Sequence, residues 1–173
     1  MDGPMSAASV RFRARLAGVF YLITFVTGVL SLVSATGRSV TSLIAAASYV
    51  GVTLAFYVLF KPVNRTVSLT AALVSLAGCV MGALGALQIA PLSLNPLMFF
   101  GLYCLLIGYL IFQSTFLPRA IGVLMAIGGL GWLTFASSAL ASRLAPYNFA
   151  PGIVAEGSLT VWLLAVGARP RTV

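Results

Sequence analysis

Between Ala17 and Val166 apolar runs of bilayer length follow one another with only short polar gaps, and nearly all the charge sits in those gaps. About 20 apolar residues in a helix cross a hydrocarbon core of roughly 30 Å, because each residue rises 1.5 Å and every backbone polar group finds its partner within the segment. The chain therefore reads as all-α, an integral membrane bundle. Its make-up agrees: 61% of residues are hydrophobic and 7% charged, with a mean hydropathy of +1.10, where soluble domains carry roughly 25% charge.

Six spans are expected, at about Ala17–Thr36, Thr41–Phe60, Val67–Ala90, Leu97–Thr115, Ala120–Ala141 and Pro151–Val166, in a single transmembrane domain over residues 1–173. The connectors are short and carry the Pro, Asn and Arg residues that stop helices or sit at headgroups, so antiparallel neighbours in a bundle should result. The first run follows Arg11, Arg13 and Arg15 and is too long for the apolar core of a cleaved signal peptide. It reads as a retained signal anchor. With six spans, Arg11, Arg13, Arg15, Lys61, Arg65, Arg119, Arg169 and Arg171 fall on one side, leaving Arg38 and Arg143 on the other. The rule that cytoplasmic loops hold the excess of Lys and Arg then puts both termini in the cytoplasm and the chain in a plasma membrane. An odd number of spans spoils this split.

Ten basic residues face only Asp2 and Glu156, giving a pI near 10.4. Nucleic-acid binders cluster such charge into patches, whereas here each basic residue flanks an apolar run, so the expected partner is the lipid bilayer and not nucleic acid. Histidine is absent, which removes the commonest ligand of haem, zinc and copper; no metal and no cofactor is expected. Cys79 and Cys104 lie inside separate apolar runs and read as small buried hydrophobes. No nucleophile elbow, zinc-protease helix, phosphate loop or dinucleotide glycine motif occurs, and ordinary hydrolysis lacks a second carboxylate or a histidine. No catalytic residue is assigned.

Glu156 is the single acidic residue within a span, and an intramembrane carboxylate is costly enough to mark a functional site by default. Counting helical rise places it one to two turns below the outer surface, within reach of Arg143 or Arg38. Two readings stay open: a structural ion pair with one of those arginines, or a site for a proton, cation or amine. Small residues form the second group of candidates, since apolar side chains gain little by leaving lipid for each other. Gly78, Gly82 and Gly85 make a thin face on the third span, and Gly122, Gly128, Gly129 and Gly131 on the fifth, for packing within the monomer or with another chain. Gln88, Gln113, the tyrosines Tyr21, Tyr49, Tyr57, Tyr103 and Tyr109, and Trp132 and Trp162 are the other polar-tipped groups, expected to satisfy each other or the interface; a lipid groove lined by aromatics remains open.

At Ala14 to Gly28 (ARLAGVFYLITFVTG), Lys61 to Thr66 (KPVNRT), Phe99 to Trp132 and Ala155 to Gly167 (AEGSLTVWLLAVG), the chain resembles a bacterial polytopic membrane family catalogued as domain of unknown function 4386. The stretch Gly108 to Phe112 followed by Phe116 to Arg119 is its most specific part. The resemblance implies a multi-pass protein of the bacterial inner membrane and supplies no reaction. Two departures stand out: only Gly37 to Val40 join the first two spans, where the family often has more, and Tyr103 stands where the family usually shows a histidine after Phe-Gly-Leu.

The leading expectation is a non-catalytic accessory or packing subunit of a larger membrane complex, with other membrane proteins or a second copy as partners. An alternative is a carrier or binding protein for a lipid or small molecule anchored at Glu156. A membrane-embedded lipid-modifying enzyme is the third.

Overall fold

The computed structural model describes residues 7–33, 37–89 and 95–168, and among these every regular element is helical. Short polar signals punctuate the apolar runs. Gly37, with φ 87°, takes the left-handed conformation that glycine adopts at little cost, and α2 (Arg38–Phe60) starts there. Pro62, two residues past the end of α2, has no N–H to donate, while the Asn64 side chain accepts a 3.0 Å hydrogen bond from Val67 N and caps α3 (Arg65–Ala86). Asn95 accepts likewise from Leu97 N at the head of α4 (Leu97–Gln113), and Pro118 precedes α5 (Arg119–Leu133).

The described residues fall into α1 (Ala7–Val33) and these four, then the short α6 (Ser138–Leu144) and α7 (Ala150–Ala165). α1 begins ten residues ahead of the expected first span at Ala17 and so takes Arg11, Arg13 and Arg15 into its first turns. The run read as one span over Ala120–Ala141 is divided: α5 ends at Leu133, a 3₁₀ turn covers Thr134–Ala136, and α6 follows. The cause is local. Thr134 Oγ1 bonds back to Gly131 O at 2.7 Å, and Ser137 caps α6, so hydroxyls compete with the helical ladder. Asn148 Nδ2 then reaches Thr134 Oγ1 at 3.3 Å and folds the turn before α7 onto the end of α5.

α1 packs on α2, α2 on α3, α3 on α4, α4 on α5 and α5 on α7, and α7 returns to α1, which closes a ring of six helices. Neighbours run antiparallel. Across α4 and α5, Gly101 meets Gly129 and Gly108 meets Gly122, and a Cβ on any of them would come within 2.7 to 2.9 Å of the opposite carbonyl oxygen. Without side chains the two backbones approach closely enough for Cα–H to carbonyl contacts. Gly128 and Gly131 do the same against Ala155 and Pro151 of α7, and Gly78 of α3 packs against Phe99 and Phe100. Gly82 meets nothing within 4 Å, and Gly85 is exposed.

Tyr21, Phe56, Phe60, Ile107, Ile111, Met125, Leu159 and Leu163 fill the ring, whereas Val19, Leu54, Leu73, Val80, Ile127, Leu130 and Val161 point outward. Four helical stretches, Ser9–Ser31, Arg38–Phe60, Arg65–Ala86 and Arg119–Ala136, are long and apolar enough to cross a membrane, with no more than 39% of any apolar window buried in the bundle. An apolar exterior on this scale suits lipid rather than water. α4 and α7, with 17 and 16 residues, are about 24 to 26 Å long and apolar, shorter than a full crossing of roughly 30 Å.

Candidate functional site

α7 begins with Pro151 in its first turn, and its inward face carries Gly152, Ala155, Glu156, Leu159, Thr160 and Leu163. This face sets the one acidic residue of any described helix against the centre of the ring, where it is only 6% exposed. Its carboxyl group is met from three helices. Trp132 Nε1 of α5 donates to Oε1 at 2.7 Å, Cys104 Sγ of α4 lies 3.7 Å from the same oxygen, and the Tyr49 hydroxyl of α2 donates to Oε2 at 3.2 Å.

Two further phenols complete the cluster. Tyr21 of α1 is wholly buried with its ring edge-on to Tyr49 at 5.6 Å, and Tyr103 of α4 is 1% exposed with its ring 5.9 Å from Tyr49. Both lie within electrostatic reach of Glu156, with Tyr49 and Thr53 as their nearest polar neighbours, yet among the described residues neither hydroxyl makes a well-formed hydrogen bond. A buried polar group left unpaired costs about 1–3 kcal/mol, so two in one place call for a reason. Behind Tyr49, Thr53 Oγ1 bonds to Tyr49 O at 2.8 Å and shares a 2.6 Å bond with Ser75 of α3, so α3 supports the cluster as well.

Trp132 reaches Glu156 because of Gly152. That glycine lies one turn before Glu156 on the same face, and a Cβ there would overlap the indole ring. Phe149 stands edge-on to Trp132 at 5.8 Å and packs against it.

Arg38 lies exposed at the start of α2 and Arg143 exposed in α6; neither is among the groups that reach the carboxyl group, whose donors are all neutral. Arg11, Arg13, Arg15, Lys61, Arg65 and Arg119 gather at the opposite end of the ring, where the guanidinium of Arg119 sits 5.5 Å from the centre of the Phe112 ring. Arg169 and Arg171 lie outside the described residues. A groove of about 530 Å³ runs along the outer face of α7, lined by Val154, Gly157, Ser158, Val161 and Trp162 among others; Glu156 faces the other way.

Sequence reasoning singled out Glu156 and missed its donors. One signal was available: aromatic side chains with polar tips belong near headgroups, as Tyr109 does with half its surface exposed and its oxygen bonded to Gln113 Nε2. Tyr21 and Tyr49 instead sit about 18 and 16 Å along their helices from the nearer end, where a phenol needs a polar partner. Gly152 left no signal beyond being a glycine.

Chemically the cluster offers one carboxyl group, three phenols, a thiol and an indole N–H. Among the described residues no three His, Cys, Asp or Glu side chains come together as a metal-binding group. A carboxyl group so placed can take a proton or hold a positively charged partner.

No curated protein and no solved structure matches the chain. The four segments that carry the family resemblance divide at α4: the two in α1 and in the turn before α3 lie outside the matched region, and the two from Phe99 onward lie inside it. Residues 93–167, which bring Tyr103, Cys104, Trp132, Gly152 and Glu156 to the site, match the model of the family described as Domain of unknown function (DUF4386).

Proposed function

We propose that the protein is a multi-pass protein of the bacterial inner membrane, with six spans and both termini cytoplasmic, that binds or carries a small ligand through Glu156. One observation carries this reading: a carboxyl group buried at the centre of the ring whose three donors, Tyr49, Cys104 and Trp132, are all neutral. A purely structural carboxylate in such a place is expected beside a guanidinium or ammonium group, since an unneutralised buried charge is expensive. A carboxyl group surrounded by neutral donors is suited to a partner that brings its own positive charge or proton. Gentle extraction of the natively expressed protein followed by native mass spectrometry tests this. Any small ligand that the wild type retains should be lost from Glu156→Gln, and retention of that ligand by the variant would overturn the assignment.

The accessory-subunit reading has its own support. Among the described residues Gly28, Gly82 and Gly157 meet nothing within 4 Å, unlike the glycines of α5. Small residues turned outward let a foreign helix approach closely. On this reading the same extraction brings down a stoichiometric protein partner, and replacing Gly82 with Leu releases it.

A further inference from the structure

The stereochemistry of the central cluster narrows the ligand class, an inference that rests on Glu156 being a ligand anchor. A carboxylate offers about four lone-pair positions on two oxygens. Oε1 is taken by Trp132 Nε1 and Cys104 Sγ, while Oε2 has the Tyr49 hydroxyl as its one well-formed donor among the described residues, with Tyr21 nearby, and keeps a position open. The two hydroxyls without a well-formed bond, Tyr21 and Tyr103, belong to rings packed on Tyr49, the donor to Oε2, and lie within electrostatic reach of the same carboxyl group. Around the cluster α1 presents Tyr21, α2 Tyr49 and Thr53, α3 Ser75, α4 Tyr103 and Cys104, and α5 Trp132, none of them cationic. An ionised Glu156 thus lacks one unit of positive charge, and two phenol oxygens lack a well-formed bond.

We infer that Glu156 Oε2 and the hydroxyl oxygens of Tyr21, Tyr49 and Tyr103 form a site for one small monovalent cation, an alkali ion or a proton shared with water. The charge follows from the single carboxylate, which balances one positive charge, whereas calcium gathers six to eight oxygens, several of them carboxylate, and magnesium keeps a rigid octahedron. Hardness follows from the donor set of carboxylate and phenol oxygens. Size follows from the packing. Tyr49 touches Phe100 at 4.5 Å, Tyr21 at 5.6 Å and Tyr103 at 5.9 Å between ring centres, and Tyr21 and Tyr103 are sealed from solvent, so an organic amine does not fit without the ring opening.

Trp132 supplies the readout, since its indole bonds directly to Glu156. The chain has two tryptophans, so in a Trp162→Phe background Trp132 is the only one. The full chain, in detergent or nanodiscs, is titrated with lithium, sodium and potassium chloride against N-methylglucamine chloride at constant ionic strength, and separately with pH in N-methylglucamine alone. A saturable change in Trp132 emission with one alkali ion identifies the metal cation; the same change driven by pH alone, with no alkali response, identifies the proton. In either case Glu156→Gln should abolish the response. Tyr21→Phe and Tyr103→Phe, which keep the rings and remove only the oxygens, should weaken it at least tenfold. Emission indifferent to both alkali ions and pH overturns the proposal. If both Phe variants respond as the parent does and Glu156→Gln does not, the phenol-coordinated cation falls while Glu156 stands as an anchor. A full response in Glu156→Gln removes both.

Discussion

Gly152 decides where Trp132 can lie, and through it whether Glu156 keeps its shortest hydrogen bond. Gly152→Ala is expected to push the indole off α7, shift Trp132 emission to the red and cost about 1–3 kcal/mol, the usual penalty for overpacking a filled core. Gly157→Ala, on the open side of the same helix, should leave emission and stability unchanged. Thermal unfolding followed by tryptophan emission compares the two. The phenols give a second contrast. Tyr49→Phe strips Oε2 of its 3.2 Å donor and should cost about 1–3 kcal/mol, whereas Tyr103→Phe removes a buried hydroxyl without a well-formed bond and should leave stability unchanged or raise it by about 1 kcal/mol when no ligand is bound. Of this chemistry only Glu156 was legible in the sequence, because a lone acid in an apolar run is conspicuous by itself. Its donors come from helices far apart in the chain, and the chain's order does not say which Tyr or Trp faces inward.

Among the elements, the tightest seam is that between α4 and α5. Gly101 with Gly129 and Gly108 with Gly122 are each seven residues apart on their helix, two turns or about 10.5 Å, so the backbones meet twice along one line. Gly129→Leu should force the helices apart and, through Leu133 and Trp132 on the next turn, disturb the site as well. A loss of about 2–4 kcal/mol in reversible unfolding, with reduced Trp132 bonding to Glu156, is expected. Asn64→Ala, which removes the cap of α3 far from the cluster, should cost about 1 kcal/mol and leave Trp132 emission alone. Helix positions were legible from hydropathy to within a few residues at α2 and α4. The split of the fifth run was not, since Thr134 and Ser137 are too few to alter the average hydropathy yet suffice to divert the backbone.

For the molecule as a whole, short connectors already implied antiparallel neighbours, but nothing in the order of the runs said that α7 would return to α1 and close a ring. Closure depends on Gly18, where a Cβ would press on Leu163 and Leu164 at 3.0 to 3.1 Å, a contact between residues remote in sequence. The proposed six-span arrangement makes a direct prediction. With Cys79 and Cys104, both buried, replaced by Ala, single cysteines at Lys61 and Arg119 should react with an impermeant maleimide only after the inner face is opened, and one at Arg143 should react in intact cells. Labelling of all three from one side would overturn the six-span count. Ring closure also bears on how the chain is made. Tyr21, Tyr49, Cys104 and Trp132 all precede Glu156 in the chain, so during synthesis the helix that is most costly to release into lipid emerges when every group that can shelter its carboxyl group has already been threaded.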